Sequence, residues 1–440
     1  MQIGWARFFT PENDPMTEST SSPSRRDFLK ASTATAASLA FLPNAHAKGN
    51  DTIKVGLIGC GGRGTGAADN ICEASGTTYH IKIHALADVF QDRLRDCRDS
   101  IRNSEHGKDK FDVSDDRCFV GFDAYQKVID CCDLVMLATP PGFRPLHIEA
   151  VIKAGKNLFT EKPVGVDPTG IRKVLAAYEE AKSKKLAVVA GTQRRHEAPY
   201  IEGIKRIHEG AIGEVSSGRV YWNGGAIWAN KRRPNWSDTE YQLRNWYHFV
   251  WLCGDHIVEQ HVHNLDVACW ILGAPPVRAV GMGGRQGPSE PERGQSYDHF
   301  AVDYEFPNDV HVMSMCRQIE GSDNKVSESF TVTNGQFPSG GFRFNGKSNA
   351  RVRARGINPY VQEHIDLLES IVSGKPINEL KQVAESTQVA IMGRMSAYTG
   401  KALTWEQALN SKLDTFPKHL DMKGSMKEPP LPRPGVTELI

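Results

Sequence analysis

Ionisable side chains are densest between Gly254 and Asp266, and their order is informative. His256, Glu259, His263 and Asp266, followed by Trp270, recur at intervals of three and four residues. At about 100° per residue that spacing predicts one narrow helical face, with Val258, Val262, Leu265, Ala268 and Leu272 on the opposite side. A face turned to bulk solvent usually carries Lys or Arg, and this one carries neither. Imidazole suits proton transfer because its ordinary pKa lies near neutrality. A carboxylate one turn away can orient the ring or hold a substrate hydroxyl. His256, Glu259 and His263 also have the donor chemistry of a zinc site, while a histidine satisfied within the core is the bland alternative for His263. Asp266 divides evenly between a chemical role and a structural one.

A second candidate site lies near the front of the chain. Gly59-Cys60-Gly61-Gly62-Arg63-Gly64 follows the apolar run Val55-Gly56-Leu57-Ile58 and precedes a helical pattern, the setting in which G-x-G-x-x-G has meaning. Gly59 suits a tight turn, Gly61 a close approach of backbone to a pyrophosphate, and Gly64 close packing of helix on strand. Gly62 and Arg63 complete the loop, and the helix N-terminus behind it offers unpaired N–H groups to phosphates. The next strand ends at Ala87-Asp88, where a carboxylate can accept hydrogen bonds from ribose hydroxyls and so favours NAD. Arg93, one turn on, can instead meet the 2′-phosphate of NADP. An ordinary glycine turn competes with this reading, as does a helix N-cap for Asp88. The dinucleotide context argues against zinc at the histidines, so no metal is assigned.

The elements that must position these groups fall into two textures. From Lys54, apolar runs at Val55 to Ile58, Ile81 to Ala87, Leu134 to Ala138, Leu158 to Phe159 and Leu186 to Ala190 alternate with helical patterns such as Arg144 to Ala154 and Thr169 to Lys184. This is an α/β order with a mostly parallel sheet covered on both faces, and it binds ligands at the strands' carboxyl ends. After Gly191 the segments Arg219 to Trp222, His299 to Phe306 and His311 to Met315 alternate like strands with one exposed face, which predicts an antiparallel or mixed sheet. Glu363 to Ser373 and Val383 to Tyr398 read as amphipathic helices, and Pro429-Pro430-Leu431-Pro432 as an extended tail. The expected organisation is a leader over 1–47, a Rossmann domain over 48–190, a substrate and oligomerisation domain over 191–424, and a Pro-rich tail over 425–440.

Lys plus Arg at 53 against Asp plus Glu at 52 leaves a formal charge of +1, so no global field draws the chain to nucleic acid or anionic lipid. The expected partner is a small molecule. Ser24-Arg25-Arg26-Asp27-Phe28-Leu29-Lys30, a short apolar run from Ala31 to Leu42 and Ala45-His46-Ala47 form a three-part export signal of the twin-arginine type, with Lys48 as the mature N-terminus. The destination is periplasmic or otherwise exported. That apolar run is too short to span a bilayer, and no later stretch is long enough, so no stable membrane insertion is expected. None of the nine cysteines forms a C-x-x-C pair, and their disulfide state stays open.

At Asn157-Leu158-Phe159-Thr160-Glu161-Lys162-Pro163 the chain resembles the glucose-fructose oxidoreductase and inositol dehydrogenase (Gfo/Idh/MocA) family. Ala138-Thr139-Pro140-Pro141 with His147 downstream, Ala154-Gly155-Lys156, Gly191-Thr192-Gln193-Arg194-Arg195, Gly213-Glu214-Val215 and His263-Asn264-Leu265-Asp266 extend the resemblance over nearly all of the mature chain. It implies a Rossmann domain followed by a larger, open, mainly antiparallel sheet through which copies associate as dimers or tetramers. It also implies a nicotinamide cofactor beside Lys162, with Thr139, Pro140, His147 and Glu161 at the cofactor. His263 matches the proton-handling histidine, while Glu259 stands where relatives often carry Asp. Arg195, Trp246, His256, Glu259 and Asp266 are the residues expected at the substrate. Trp222, Trp228, Trp236, Trp246 and Trp251, interleaved with Arg232, Arg233 and Arg244, can form a carbohydrate pocket, although core packing explains individual tryptophans equally well. The expected activity is NAD(P)-dependent oxidation of a CH–OH group of a sugar, polyol or glycoside by a tightly held cofactor, with Lys162 and His263 handling the proton. Export motivates an alternative, a redox-neutral glycosidase that keeps its cofactor. A non-catalytic sugar-binding protein on the same fold is the third reading.

Overall fold

A computed structural model of the chain describes residues 52–287, 294–338, 345–346, 352 and 354–440. The leader expected over 1–47 lies outside the described residues. Short runs become the strands β1 (Ile53–Ile58), β2 (Ile81–Asp88), β3 (Cys118–Val120), β4 (Leu134–Leu137), β5 (Asn157–Thr160) and β6 (Val188–Ala190), of which β4 and β6 are buried throughout. They pair in parallel in the order β3-β2-β1-β4-β5-β6. The strand order reverses between β1 and β4, which opens a crevice at their carboxyl ends, the place where such sheets take ligands. Helices Gly62–Ser75, Gln91–Asn103, Ala124–Cys131, Arg144–Lys153 and Pro168–Lys184 form the crossovers. The last of these begins where the Asp167 side chain accepts from the Gly170 N–H at 2.7 Å and Pro168 takes the first helical position.

The second sheet combines β7 (Val215–Gly224), β8 (Arg278–Gly284), β9 (His299–Phe306), β10 (Val310–Gln318), β11 (Lys325–Val332), β12 (Gly335–Pro338), β13 (Asn345–Gly346) and β14 (Leu403–Thr404). Their order is β13-β12-β11-β7-β10-β9-β8-β14, antiparallel throughout except for the β7–β10 pair. The alternation read from His299 to Phe306 holds residue by residue: Phe300, Val302, Tyr304 and Phe306 are buried and their neighbours half-exposed. The buried face packs on helices Val262–Leu272 and Leu380–Thr399, where the Tyr304 hydroxyl donates to the Val389 carbonyl at 3.0 Å. Each such fully buried aromatic or aliphatic side chain contributes about 1.5–3 kcal/mol.

A boundary at residue 190 divides the sequence but not the molecule. Helix Pro359–Val372 returns to the first sheet and packs on Gly62–Ser75, so Val361, Leu367 and Leu368 share a core with Leu57, Ile71 and Ile83. Ile377 and Glu379 also tie onto β6, accepting from the Val188 and Ala190 N–H groups at 2.7 and 2.8 Å. The tail beyond 425 has no helix or strand and lies on the body: the Tyr297 hydroxyl donates to Pro432 and the Gly435 N–H to Thr399. All nine cysteines are free thiols.

The parts meet directly in the loop beyond β4. A Cβ added to Gly142 would sit 2.1 Å from the Trp251 carbonyl oxygen, so the chain at 251 rests directly on this loop. Gly142→Ala is therefore expected to destabilise the cofactor-free protein by about 2 kcal/mol or more, read as a lowered midpoint of urea unfolding.

Candidate active site

A cleft of about 850 Å³ runs from the glycine loop, past the ends of β4 and β5, to the histidine-rich segment. The three glycines of the loop are used in three different ways. Gly59 adopts φ +99°, and a Cβ there would meet the Ala138 backbone at 2.6 Å. A Cβ on Gly64 would lie 1.9 Å from the Gly59 carbonyl oxygen, so helix and strand pack at a distance only glycine permits. Gly61 and Gly62 face the cleft instead. A Cβ on Gly62 would meet nothing within 4 Å, and one on Gly61 only the Arg93 side chain at 3.4 Å. Gly61 caps helix Gly62–Ser75 and supplies no side-chain acceptor to its first N–H groups. Open space in front of uncapped N–H groups fits the pyrophosphate of a dinucleotide.

Asp88 lines the cleft at the end of β2 and braces the loop, accepting from the Cys60 N–H at 2.7 Å and the Phe90 N–H at 2.8 Å. Phe90, not Asp88, holds the N-cap position of the next helix. Burial pushes the Asp88 carboxyl up, against the pull of those two N–H groups. Thr139 and Pro140 line the cleft beyond β4, and the Thr139 hydroxyl meets His147 Nδ1 at 3.3 Å. Burial drives His147 down to about 3, so the ring is neutral between Tyr125 and Phe143. Arg63 reaches from the loop to Glu161 at 3.0 Å and lies over the Tyr360 ring.

Lys162 follows β5, next to a proline whose carbonyl accepts from Arg144 Nη1 at 2.5 Å. Its ammonium donates to the Glu259 backbone carbonyl at 2.7 Å and to Glu259 Oε1 at 3.3 Å. The other carboxylate oxygen, Oε2, accepts from Gln260 Nε2 at 2.6 Å. Burial acts to raise Glu259, but the Lys162 ammonium, Tyr247 and Arg144 outweigh it and hold the carboxyl below its ordinary value. His263 lines the same end of the cleft and stacks on Trp222, with ring centroids 5.5 Å apart at 21°. Burial, with the neighbouring Lys162 charge second, takes its pKa well down, so the ring is an uncharged proton acceptor.

The histidine-rich segment departs from the single helix its spacing predicts. It forms two pieces, His256–Glu259 and Val262–Leu272, broken at Gln260-His261. The break turns the stripe apart. Glu259 and His263 face the cleft, while His256 points its Nε2 at the Trp222 carbonyl, 3.3 Å away. Asp266 takes the Arg195 guanidinium at 2.9–3.1 Å and the Ser386 hydroxyl at 2.7 Å. Arg195, His256 and Asp266, expected at the substrate, are not among the residues lining the cleft: Arg195 and Asp266 pair with each other, and His256 turns to the Trp222 carbonyl. Trp246 does line it, beside Trp228 and Tyr247.

Tyr247 is the group the sequence reading passed over. It is buried, and its hydroxyl is turned toward Glu259 and Gln260 without an aligned hydrogen bond among the described residues. The aromatic run Trp246 to Phe249 was the available signal, but nothing in it singles out the hydroxyl. Gln193 and Tyr360, joined at 3.2 Å, line the wall near Arg63. Behind that wall Glu363 is fully buried with neither oxygen hydrogen-bonded, and burial pushes it well above the ordinary carboxylate range. No cluster of His, Cys, Asp and Glu suited to a metal is present among the described residues.

A doubly wound sheet with a glycine cradle, joined to a second sheet whose helices complete the cleft, defines a two-domain dinucleotide-binding protein. The chain matches the profile of the oxidoreductase family with an NAD-binding Rossmann fold over residues 53–190 and the GFO/IDH/MocA C-terminal domain over residues 203–336. It belongs to the Gfo/Idh/MocA oxidoreductase family. Residues 22–41 match the twin-arginine translocation signal, which marks the protein for export by that route. A 2,7-anhydro-N-acetylneuraminate hydratase of Escherichia coli is 32% identical over 190 residues, 41% of this chain and 44% of that one. An inositol 2-dehydrogenase of Rhizobium meliloti is 28% identical over 155 residues, 35% of this chain and 41% of that one. The chain thus spans less than half the length of these relatives. Among solved structures, a scyllo-inositol dehydrogenase from Lactobacillus casei with bound NAD(H) and scyllo-inositol superposes with a TM-score of 0.61 at 18% identity, over 81% of this chain and 99% of that one. An aldose-aldose oxidoreductase from Caulobacter crescentus gives 0.63 at 18% identity, over 80% and 100%. At these identities the structures show a shared fold.

Burial makes the site sensitive to acid. His147, His261 and His364 are driven down to about 3 and His256 to about 4, in each case by burial first. The unfolded chain binds protons at these rings below about 6.5 and the folded chain does not, so each ring removes up to about 1.4 kcal/mol of stability per unit as pH falls from 6.5 toward 4. His196 works the other way. Burial opposes its protonation, but Asp366 and Glu379 outweigh that and raise it to about 10, so its contribution is complete below 6.5 and lost as pH rises through 10. Urea midpoints are therefore expected to fall steeply between pH 6.5 and 4, and His364→Gln, which removes one of the neutral rings, should flatten that slope.

Proposed function

We propose that this exported protein oxidises a secondary CH–OH group of a sugar, polyol or glycoside, using NAD or NADP held in the cleft between the glycine loop and Lys162. The observation that carries this reading is the convergence of Lys162, Glu259 and His263 at the end of the cleft that opens from the glycine cradle. A bound nicotinamide would accept the hydride from the carbinol carbon. Gly61, Gly62 and the helix N–H groups would hold the pyrophosphate, and Asp88 or Arg93 the ribose beside it. The placement of Asp88 at the loop favours NAD, although its carboxylate already accepts two backbone N–H groups.

The chain's own groups divide the proton chemistry. An ammonium has three donors, and Lys162 directs two of them to Glu259, which leaves the third for the substrate oxygen. Glu259 fixes the ammonium in direction. Neutral His263, held flat by Trp222, takes the hydroxyl proton as the carbon is oxidised. Trp228 and Trp246 offer flat apolar surface to the sugar ring.

A redox-neutral version is favoured by two observations. The export signal takes the protein away from the cytoplasmic cofactor pool, and one relative is named a hydratase. Transient oxidation, elimination of a leaving group and re-reduction would use the same residues and keep the cofactor in place. The uncovered face of the second sheet, with Val280, Met282, Met313, Met315 and Val326 exposed on three of its strands, is where we place association with further copies of the chain.

Replacing Lys162 by Met is expected to leave dinucleotide binding within a few-fold of wild type and to slow reduction of the bound cofactor by polyols about 10²–10⁴-fold. Stopped-flow absorbance at the reduced nicotinamide band reads the second quantity and equilibrium titration the first. Undiminished reduction in Lys162→Met would remove the lysine from the chemistry.

A further inference from the structure

The mouth of the cleft is crossed by a bridge of side chains. On the Rossmann side, Phe90, Phe122 and Phe143 line the cleft at the ends of β2, β3 and β4. Facing them are Trp236, Tyr241, Leu243, Trp246, Phe249 and Trp251 from the segment that precedes the histidines, all in one apolar cluster with the three phenylalanines. Arg244 locks the two sides. Its guanidinium lies 3.9 Å from the centroid of the Phe90 ring and 5.3 Å from that of Trp236, and it pairs with Asp92 at 3.0 Å and Glu240 at 2.8 Å. Asp92 sits in the first turn of the helix that follows Asp88.

A third strand of chain ties the bridge from outside. Phe416 stands edge-on to Phe143 at 5.3 Å and to Trp251 at 6.1 Å. The segment beyond it runs along helix Asp238–Arg244: the Ser237 hydroxyl donates to the Met422 carbonyl, Gln242 Nε2 to the Met426 carbonyl at 3.0 Å, and the Ser425 hydroxyl to Asp238 at 2.7 Å. The near contact between Gly142 and the Trp251 carbonyl leaves no slack at the centre. Trp228, at the outer edge, is also held, since its carbonyl accepts from His248 and buried Asn245 grips the Asn230 backbone through two hydrogen bonds.

We propose that Arg244 and Phe416 are cofactor-retaining residues, which fasten this bridge over the ribose end of the cleft so that the mature protein does not exchange its dinucleotide. The assignment rests on the reading of the cleft as a dinucleotide site. Phe90 and Phe143 line the cleft and share one cluster with Trp251, and Arg244 joins that cluster by charge as well as by its stacked face, so that loosening it would free the wall over a molecule lying on the glycine loop. The clasp accounts for how an enzyme sent out of the cytoplasm works without a supply of free cofactor.

Mature wild type, Arg244→Ala and Phe416→Ala would be loaded with NAD, freed of excess, and chased with isotopically labelled NAD while mass spectrometry follows the unlabelled molecule. Wild type is expected to keep its dinucleotide through the chase, and each variant to release it at least about 10-fold faster. If Arg244→Ala does not fold, Asp92→Asn opens the same pair from the other side and decides the point together with Phe416→Ala. Equal release rates in wild type and folded variants would overturn the clasp, as would rapid exchange in wild type. Failure of wild type to bind NAD or NADP at all would overturn the dinucleotide reading beneath it.

Discussion

The site depends on one buried ion pair that joins the two sheets. Lys162 follows the carboxyl end of β5 in the parallel sheet and Glu259 ends the first of two helical pieces that belong to the second, and both are more than nine-tenths buried. Taking two charges out of water is unfavourable unless good geometry and further hydrogen bonds compensate. Here the ammonium also meets the Glu259 carbonyl, and the carboxylate also meets Gln260, so each charge has more than one partner. Removing either partner would leave the other uncompensated. The pair thus sets where the second sheet can sit against the first, and it places His263, one turn beyond Glu259, at the cleft.

That position gives the broken helix its meaning. A continuous helix would keep Glu259, His263 and Asp266 on one face, all at the cleft. Interrupting it at Gln260-His261 turns the Glu259 backbone carbonyl toward Lys162 and sends Asp266 back toward Arg195 and Ser386. The Arg195–Asp266 pair then anchors the second helix from behind. Neutral histidines surround the break, and Asp255, at φ +76° just before it, accepts from the Tyr297 N–H and the Tyr398 hydroxyl. Beside these neutral rings, Lys162 and Glu259 are the paired charges at the His263 end of the cleft.

Local signals made much of this legible in the sequence. The glycine loop, Asp88 and the Glu-Lys-Pro turn are each short, and each follows a strand whose apolar run identifies it. The alternation in His299 to Phe306 carried the second sheet. Spacing put His256, Glu259, His263 and Asp266 on one face because periodicity assumes an unbroken helix, whereas the segment forms two pieces and His256 and Asp266 do not line the cleft. The same limit hid the return of Pro359–Val372 to the first sheet. Its amphipathic pattern reveals that one face is buried but not against what. The parts that Tyr247, Arg244 and Phe416 play gave no local sign, since a side chain acquires its role from distant segments: Arg244 meets Asp92, 152 residues away, and Phe416 meets Phe143.

The most direct measurement would follow the hydrogen itself. The protein loaded with oxidised cofactor would be incubated with myo-inositol, glucose and a methyl glucoside, each deuterated at its ring carbinol carbons, and the released dinucleotide analysed by mass spectrometry and NMR. Deuterium on the nicotinamide ring with at least one of these compounds is the predicted result, under net oxidation and under the redox-neutral cycle alike. A fully occupied, folded protein whose cofactor gains no deuterium from any of them would contradict hydride transfer from a sugar or polyol carbon.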